Sequence, residues 1–185
     1  VWFVVGLPVF LRSVLGWSFY QVGGFLACWV IGYGIIQSLA PTLIKRFGSG
    51  QPPRSQTVRF WTTSLIAVPA IMAIALQFNL SANIVIIGGL LIFGVVFAFN
   101  SSVHSYLVLA FTNDDKVALN VGFYYMANSG GRLAGTVLSG LVYQFAGLVG
   151  CLWVSTALVF AAAVITRKLP DPQISKVIAW KSDGE

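Results

Sequence analysis

The sequence predicts an all-α integral membrane protein with six transmembrane helices. Three observations carry that reading: 57% of the 185 residues are hydrophobic, only 9% are charged, and the apolar residues gather into runs of about spanning length, giving a mean hydropathy of +0.85. Soluble domains carry about 25% charged residues, and a bilayer core asks for about 20 mostly apolar residues per helix. Nineteen glycines and seven prolines would weaken a soluble bundle. Between membrane helices, small residues permit close approach and freed backbone groups are satisfied by neighbours.

The first span, 1–15, is short, because its apolar run reaches Leu11 before Arg12. With Val1 in place of an initiator methionine and no basic leader or cleavage pattern, the chain is expected to begin inside a helix. The second span, 18–44, is ended by Lys45-Arg46-Phe47-Gly48 and Gln51-Pro52-Pro53. The third and fourth, 60–78 and 83–111, are separated by Asn79-Leu80-Ser81. The fifth and sixth run over 117–145 and 148–166. Residues 1–166 form the expected bundle and 167–185 a polar tail.

Alternating the spans places Lys45, Arg46, Arg54, Arg59, Lys116, Arg167, Lys168, Lys176 and Lys181 on one side of the membrane and Arg12 on the other. Basic residues concentrate on cytoplasmic loops. The loops 45–59 and 112–117 and the tail are therefore expected in the cytoplasm, with the bundle crossing a bacterial inner membrane. The net charge of +6 belongs to this asymmetry, and no basic face suited to nucleic acid remains. An even number of spans with both ends cytoplasmic is the organisation of half a twelve-helix secondary carrier, so an N-terminal six-helix half is the expected partner. A complete six-helix protein is the alternative.

Arg132 is the most informative residue. It lies within the fifth span, no span contains Asp or Glu, and a cation at mid-bilayer costs about 2.5–3.5 kcal/mol on insertion scales. Such a residue is retained for a partner helix, an anion or a watery path. Asn120, Tyr124, Asn128 and Arg132 recur at i, i+4 and share a stripe, with Tyr125 close by. Ala127, Gly131, Gly135 and Ser139 form a neighbouring stripe of small residues suited to close packing. A planar guanidinium flanked by hydroxyl and amide donors suits an oxyanion; a polar seam that only joins helices is the other reading.

The fourth span carries Asn100-Ser101-Ser102-Val103-His104-Ser105-Tyr106, where Asn100 and His104 share one face and Ser101 and Ser105 another. His104 reads as a solute ligand or proton carrier, or as a packing residue beside serines bonded back to their own helix. Gly24, Cys28 and Gly32 in the second span read as a packing stripe, Pro41 as a kink, and Gln37 as inward-facing. The two cysteines, Cys28 and Cys151, behave as small apolar residues with no metal-ligand spacing. No nucleophile elbow, phosphate loop or paired carboxylates are present, so neither enzymatic chemistry nor a cofactor is expected.

The runs VWFVVGLPVFL, GWSFYQVGGFLACWVIGYGIIQSLAP, FGVVFAFNSSVHSYL and above all VGFYYMANSGGRLAGTVLSGLVYQ resemble the C-terminal half of the ArsJ family of organoarsenical efflux carriers, within the major facilitator superfamily. The similarity spans Val1 to Pro170. Lys45–Gly48 is similar to a worn copy of the superfamily's loop signature, keeping Arg46 and Gly48 but with Lys45 where an acid is usual. The resemblance implies export of 1-arseno-3-phosphoglycerate, formed when glyceraldehyde-3-phosphate dehydrogenase uses arsenate, and hence arsenate resistance. Such a solute would meet Arg132, Asn128, Tyr124, Tyr125, Asn100 and His104, which are donors of the right chemical type. The same donors suit another phosphorylated or carboxylated metabolite.

Overall fold

The computed structural model describes residues 2–47, 55–110 and 117–167. A π-helical turn at Trp2–Gly6 runs into α1 (Leu7–Ser13), followed by α2 (Phe19–Phe47), α3 (Ser55–Gln77), α4 (Ala82–Ala110) and α5 (Val117–Thr166). Four helices are long and apolar enough to cross a membrane by length and composition: Phe19–Ile44, Gln56–Gln77, Ala82–Leu107 and Ala118–Thr166; Trp2–Ser13 is apolar but shorter.

α5 is not one rod. A straight helix separates Ser139 from Cys151 by about 18 Å, yet the Cys151 thiol reaches the Ser139 carbonyl at 3.6 Å. The chain reverses at Gly147, whose torsions (φ 61°, ψ −162°) belong to a region open essentially to glycine alone. Two helical arms, 117–146 and 148–166, result.

α1 ends in a tight turn. Gly16 adopts φ 69°, the Trp17 N–H donates to Leu11 O at 3.0 Å, and the Arg12 guanidinium donates to Trp17 O at 2.9 Å. α2 then starts on a capping box: the Gln21 N–H donates to Ser18 Oγ at 3.2 Å while the Ser18 N–H donates to Gln21 Oε1 at 2.8 Å. The Trp17 indole donates to Asn83 Oδ1 at 3.1 Å, tying this turn to the start of α4.

α2 continues through Lys45, Arg46 and Phe47, and α3 begins at Ser55, so the loop expected at 45–59 is helical at both ends. Cations in a last helical turn suit the negative end of the helix dipole, and long basic side chains can reach the interface from within a helix. Residues 48–54 of that loop, 112–116 of the next and the tail from 168 lie outside the described residues. Asn79 turns the chain between α3 and α4 with φ 56°.

The main core gathers Trp2, Leu7 and Leu11 with Met72 of α3, Ile86 and Leu90 of α4 and Leu148 and Leu152 of the second arm. A smaller cluster, Val58, Val103 and Leu107, lies toward the end bearing Arg46 and Arg59. α3 packs on α4 and α5, and α2 packs on α4. The α3–α4 crossing depends on Gly89, where a Cβ would stand 2.5 Å from the Met72 sulfur.

The small residues of α2 do not act as the packing stripe expected. Gly24 and Cys28 are exposed, and a Cβ on Gly24, Gly32 or Gly34 would meet nothing within 4 Å. α2 instead seats Trp29 and Tyr33 on α4, and Cys28 and Gly32 border the space beside these rings. On α5 only Ser139 of the small stripe is buried; Ala127 and Gly131 are exposed.

Candidate functional site

The polar run of α4 begins between the two apolar clusters and continues beside the smaller one, and its hydrogen-bond partners outside α4 come from α2 and α3. Thr62 of α3 donates to Asn100 Oδ1 at 3.0 Å. His104 Nδ1 lies 3.0 Å from the Asn100 carbonyl of the preceding turn. A carbonyl only accepts, so Nδ1 carries a proton in this contact and Nε2 is the acceptor of a neutral ring. Gln37 of α2 donates from Nε2 to Ser101 Oγ at 3.2 Å. Ser101 thus acts between helices, where a bond back to its own helix was expected.

Aromatic rings extend this seam away from the polar layer. Tyr33 stacks on Phe97 at 5.5 Å and on Trp29 at 5.6 Å, and Phe97 stacks on Phe93 at 5.4 Å. The Trp29 indole donates to Leu90 O at 2.7 Å. That bond needs Gly94, because a Cβ there would stand 3.1 Å from Trp29 Nε1. Trp29 with Leu90 and Gln37 with Ser101 are pairs of nearly constant offset, so α2 and α4 run parallel. Between them lies a cleft of about 190 Å³, walled by Phe25, Cys28, Trp29, Gly32, Tyr33 and Ile36 of α2 with Leu91 and Gly94 of α4.

The first arm of α5 contributes the rest. Tyr124 is half-buried, and its ring meets Tyr125 edge-on at 5.5 Å. Asn120 is also half-buried, whereas Tyr125, Asn128 and Arg132 are exposed. The Arg132 carbonyl accepts from Thr136 Oγ1 at 2.9 Å. Among the described residues, no side chain or carbonyl partners its guanidinium, and no hydrogen bond joins Asn128 or Arg132 to the α4 cluster.

Of the six residues singled out from the sequence, Asn100 and His104 are brought together, Tyr124 and Tyr125 touch, and Asn128 and Arg132 stand further along α5. Three residues of the cluster, Gln37, Thr62 and Ser101, were not among them. Tyr33 and Gln37 stand at i, i+4 in α2, the same spacing that marked Asn100 and His104.

Spanning helices, hairpin-forming arms and polar groups placed between apolar clusters define a multi-pass α-helical membrane protein. The family profile described as Major Facilitator Superfamily matches residues 2–184, and the chain belongs to that superfamily. No curated protein and no solved structure gives a significant match.

Proposed function

We propose that this chain is the second six-helix half of a twelve-helix secondary carrier that exports an organoarsenical oxyanion, 1-arseno-3-phosphoglycerate, and so protects the cell from arsenate. Superfamily membership supports transport as the activity. The solute is the one implied by the resemblance of the run from Val121 to Gln144. The observation that carries an anionic solute is Arg132: its guanidinium lies in a membrane-spanning arm, exposed and without a partner among the described residues. A cation held at that depth needs an anion or a watery path to offset its desolvation.

In this reading Arg132 grips the oxyanion through its planar fork, and Asn128, Tyr124 and Tyr125 add donors on the same helix. Asn100 and His104 complete the lining, with Thr62 fixing the Asn100 amide. Transport proceeds by rocking of two helical halves about the fixed site. A carrier of another phosphorylated or carboxylated metabolite is the second reading, favoured by the donors themselves: guanidinium, amide and hydroxyl groups bind phosphate, carboxylate and arsonate oxygens alike.

Arsenate survival of a sensitive bacterial strain tests the proposal. The strain carries the full-length gene with glyceraldehyde-3-phosphate dehydrogenase co-expressed, and wild type is compared with Arg132→Ala at matched membrane abundance. Protection by wild type that is lost in the variant is the expected result. A well-inserted wild type that gives no protection would overturn the arsenic assignment.

A further inference from the structure

The start of α3 and the end of α5 meet at one corner of the basic end of the molecule. Arg59, early in α3, donates from Nη2 to the Arg167 carbonyl at 2.9 Å, and the Arg167 N–H in turn donates to Ala163 O at 3.2 Å. A cation on the last carbonyls of a helix is a stabilising cap, because the negative end of the helix dipole lies there. The bond takes the Arg167 backbone, however, and not its guanidinium. It therefore brings a second arginine beside the first from 108 positions away in the chain, and both side chains are exposed. Like charges within a Debye length, about 10 Å at 0.1 M salt, repel each other. Capping alone asks for one arginine here, not two.

The corner lies where headgroups meet hydrocarbon. By length and composition α3 crosses from Gln56 and the second arm of α5 ends its crossing at Thr166, so Arg59 and Arg167 stand at the margins of two spans. Trp61 marks the same level, stacked on Phe99 at 4.6 Å with Phe60 edge-on to it at 5.3 Å, and such rings gather at membrane interfaces. On the hydrocarbon side of the arginines the surface is apolar: Phe60, Val164 and Ile165 are exposed. Free phosphate would use the cations alone. A phospholipid would use both surfaces, its headgroup on the arginines and its chains on the apolar side chains beneath.

The charge of the lipid follows from the same end. Nine basic residues are assigned to this side of the membrane against five acids in the whole chain, and α3 carries no acid in its first turn to offset the positive end of its dipole. A zwitterionic headgroup would bring a further cation to that excess.

We propose that the α3–α5 corner is a binding site for an anionic phospholipid, its phosphate held between the Arg59 and Arg167 guanidinium groups and its acyl chains lying over Phe60, Val164 and Ile165. Guanidinium forks take phosphate oxygens in pairs, and basic pockets between spans hold lipid headgroups. The inference requires a membrane-spanning chain but no particular solute, so it stands or falls apart from the arsenic assignment.

The purified full-length protein, delipidated in neutral detergent, is titrated with dioleoyl phosphatidylglycerol or dioleoyl phosphatidylcholine, and bound lipid is counted by native mass spectrometry. Phosphatidylglycerol is expected to bind at least about tenfold more tightly. Arg167→Gln keeps the carbonyl that Arg59 caps and removes only the second cation. It should weaken phosphatidylglycerol about fivefold, the effect of one basic residue at an anionic surface, and leave the melting temperature without lipid unchanged. Arg59→Gln should lose lipid and melt lower, because the cap goes as well; if it does not fold, Arg167→Gln decides. Arg46→Gln removes a charge from the same end on α2, which packs on α4, and should change the affinity less than about twofold.

Equal binding of the two lipids overturns the site, as does an Arg167→Gln protein that binds like wild type. Equal losses in Arg46→Gln and Arg167→Gln overturn it too, since they describe a diffuse field over the basic end. Millimolar inorganic phosphate is expected to displace no lipid; displacement would mean that the arginines take a free oxyanion, and the lipid assignment would fall.

Discussion

Thr62 and Asn100 are joined by a 3.0 Å hydrogen bond across the α3–α4 interface, and the threonine is only 3% exposed. The bond holds the Asn100 amide oxygen in a fixed orientation, while the Asn100 carbonyl accepts from His104 one turn later. Thr62→Val keeps the shape of the side chain but removes the donor. We expect a loss of about 1 kcal/mol, in the range of hydrogen bonds between membrane helices. A double-mutant cycle with Asn100→Leu, read by thermal unfolding in detergent, checks it; strictly additive effects would mean that the two side chains are not coupled.

The α3–α4 crossing predicts a steric pair. Gly89→Ala places a methyl group against Met72, whose sulfur and Cγ would lie 2.5 and 2.6 Å away. Overpacking of this kind costs about 1–3 kcal/mol. Pairing the variant with Met72→Ala should restore part of the loss, whereas Met72→Ala alone should destabilise by leaving a void. Melting temperatures of the four proteins decide the matter.

Gly147 and Gly140 separate backbone strain from crowding. At both positions a Cβ would meet nothing within 4 Å, but Gly147 has φ 61° and Gly140 is helical. Gly147→Ala should cost about 1–3 kcal/mol through torsional strain alone. Gly140→Ala should gain up to about 1 kcal/mol from helix propensity. Opposite shifts in melting temperature are the expected signature.

Arg132→Ala should leave membrane abundance and melting temperature within about 0.5 kcal/mol of wild type, because no partner among the described residues is lost. Anion transport should fall at least tenfold. Arg132→Lys keeps the charge without the bidentate fork and should give intermediate transport. A large stability loss in Arg132→Ala would instead assign the residue to helix assembly.

Local signals were legible in the sequence. The break at Asn79-Leu80-Ser81 follows from its residue types, and the Asn100–His104 contact from i, i+4 spacing. The capping box at Ser18 and Gln21 was equally visible as a spacing but was masked by apolar neighbours that read as span. The second span reads to Ile44, where the apolar stretch ends, while the helix itself continues to Phe47, because charge marks where a chain leaves the bilayer, not where a helix ends. Gln37 meets Ser101 through a non-local contact that no periodicity within one helix encodes. Small residues at Gly24, Cys28 and Gly32 show that close approach is permitted, but not on which face a neighbour stands.

The two bonds between α2 and α4, at Trp29 and Gln37, are spaced by about 12 Å along the helix. Sliding one helix by a turn, about 5.4 Å, would break both at once and drive the indole off Gly94. Shear along this seam is therefore all-or-none, and the pair behaves as a single stiff plate. Any displacement of one of these helices along its axis then carries the other with it, and the Trp17–Asn83 bond ties the turn before α2 to the same unit.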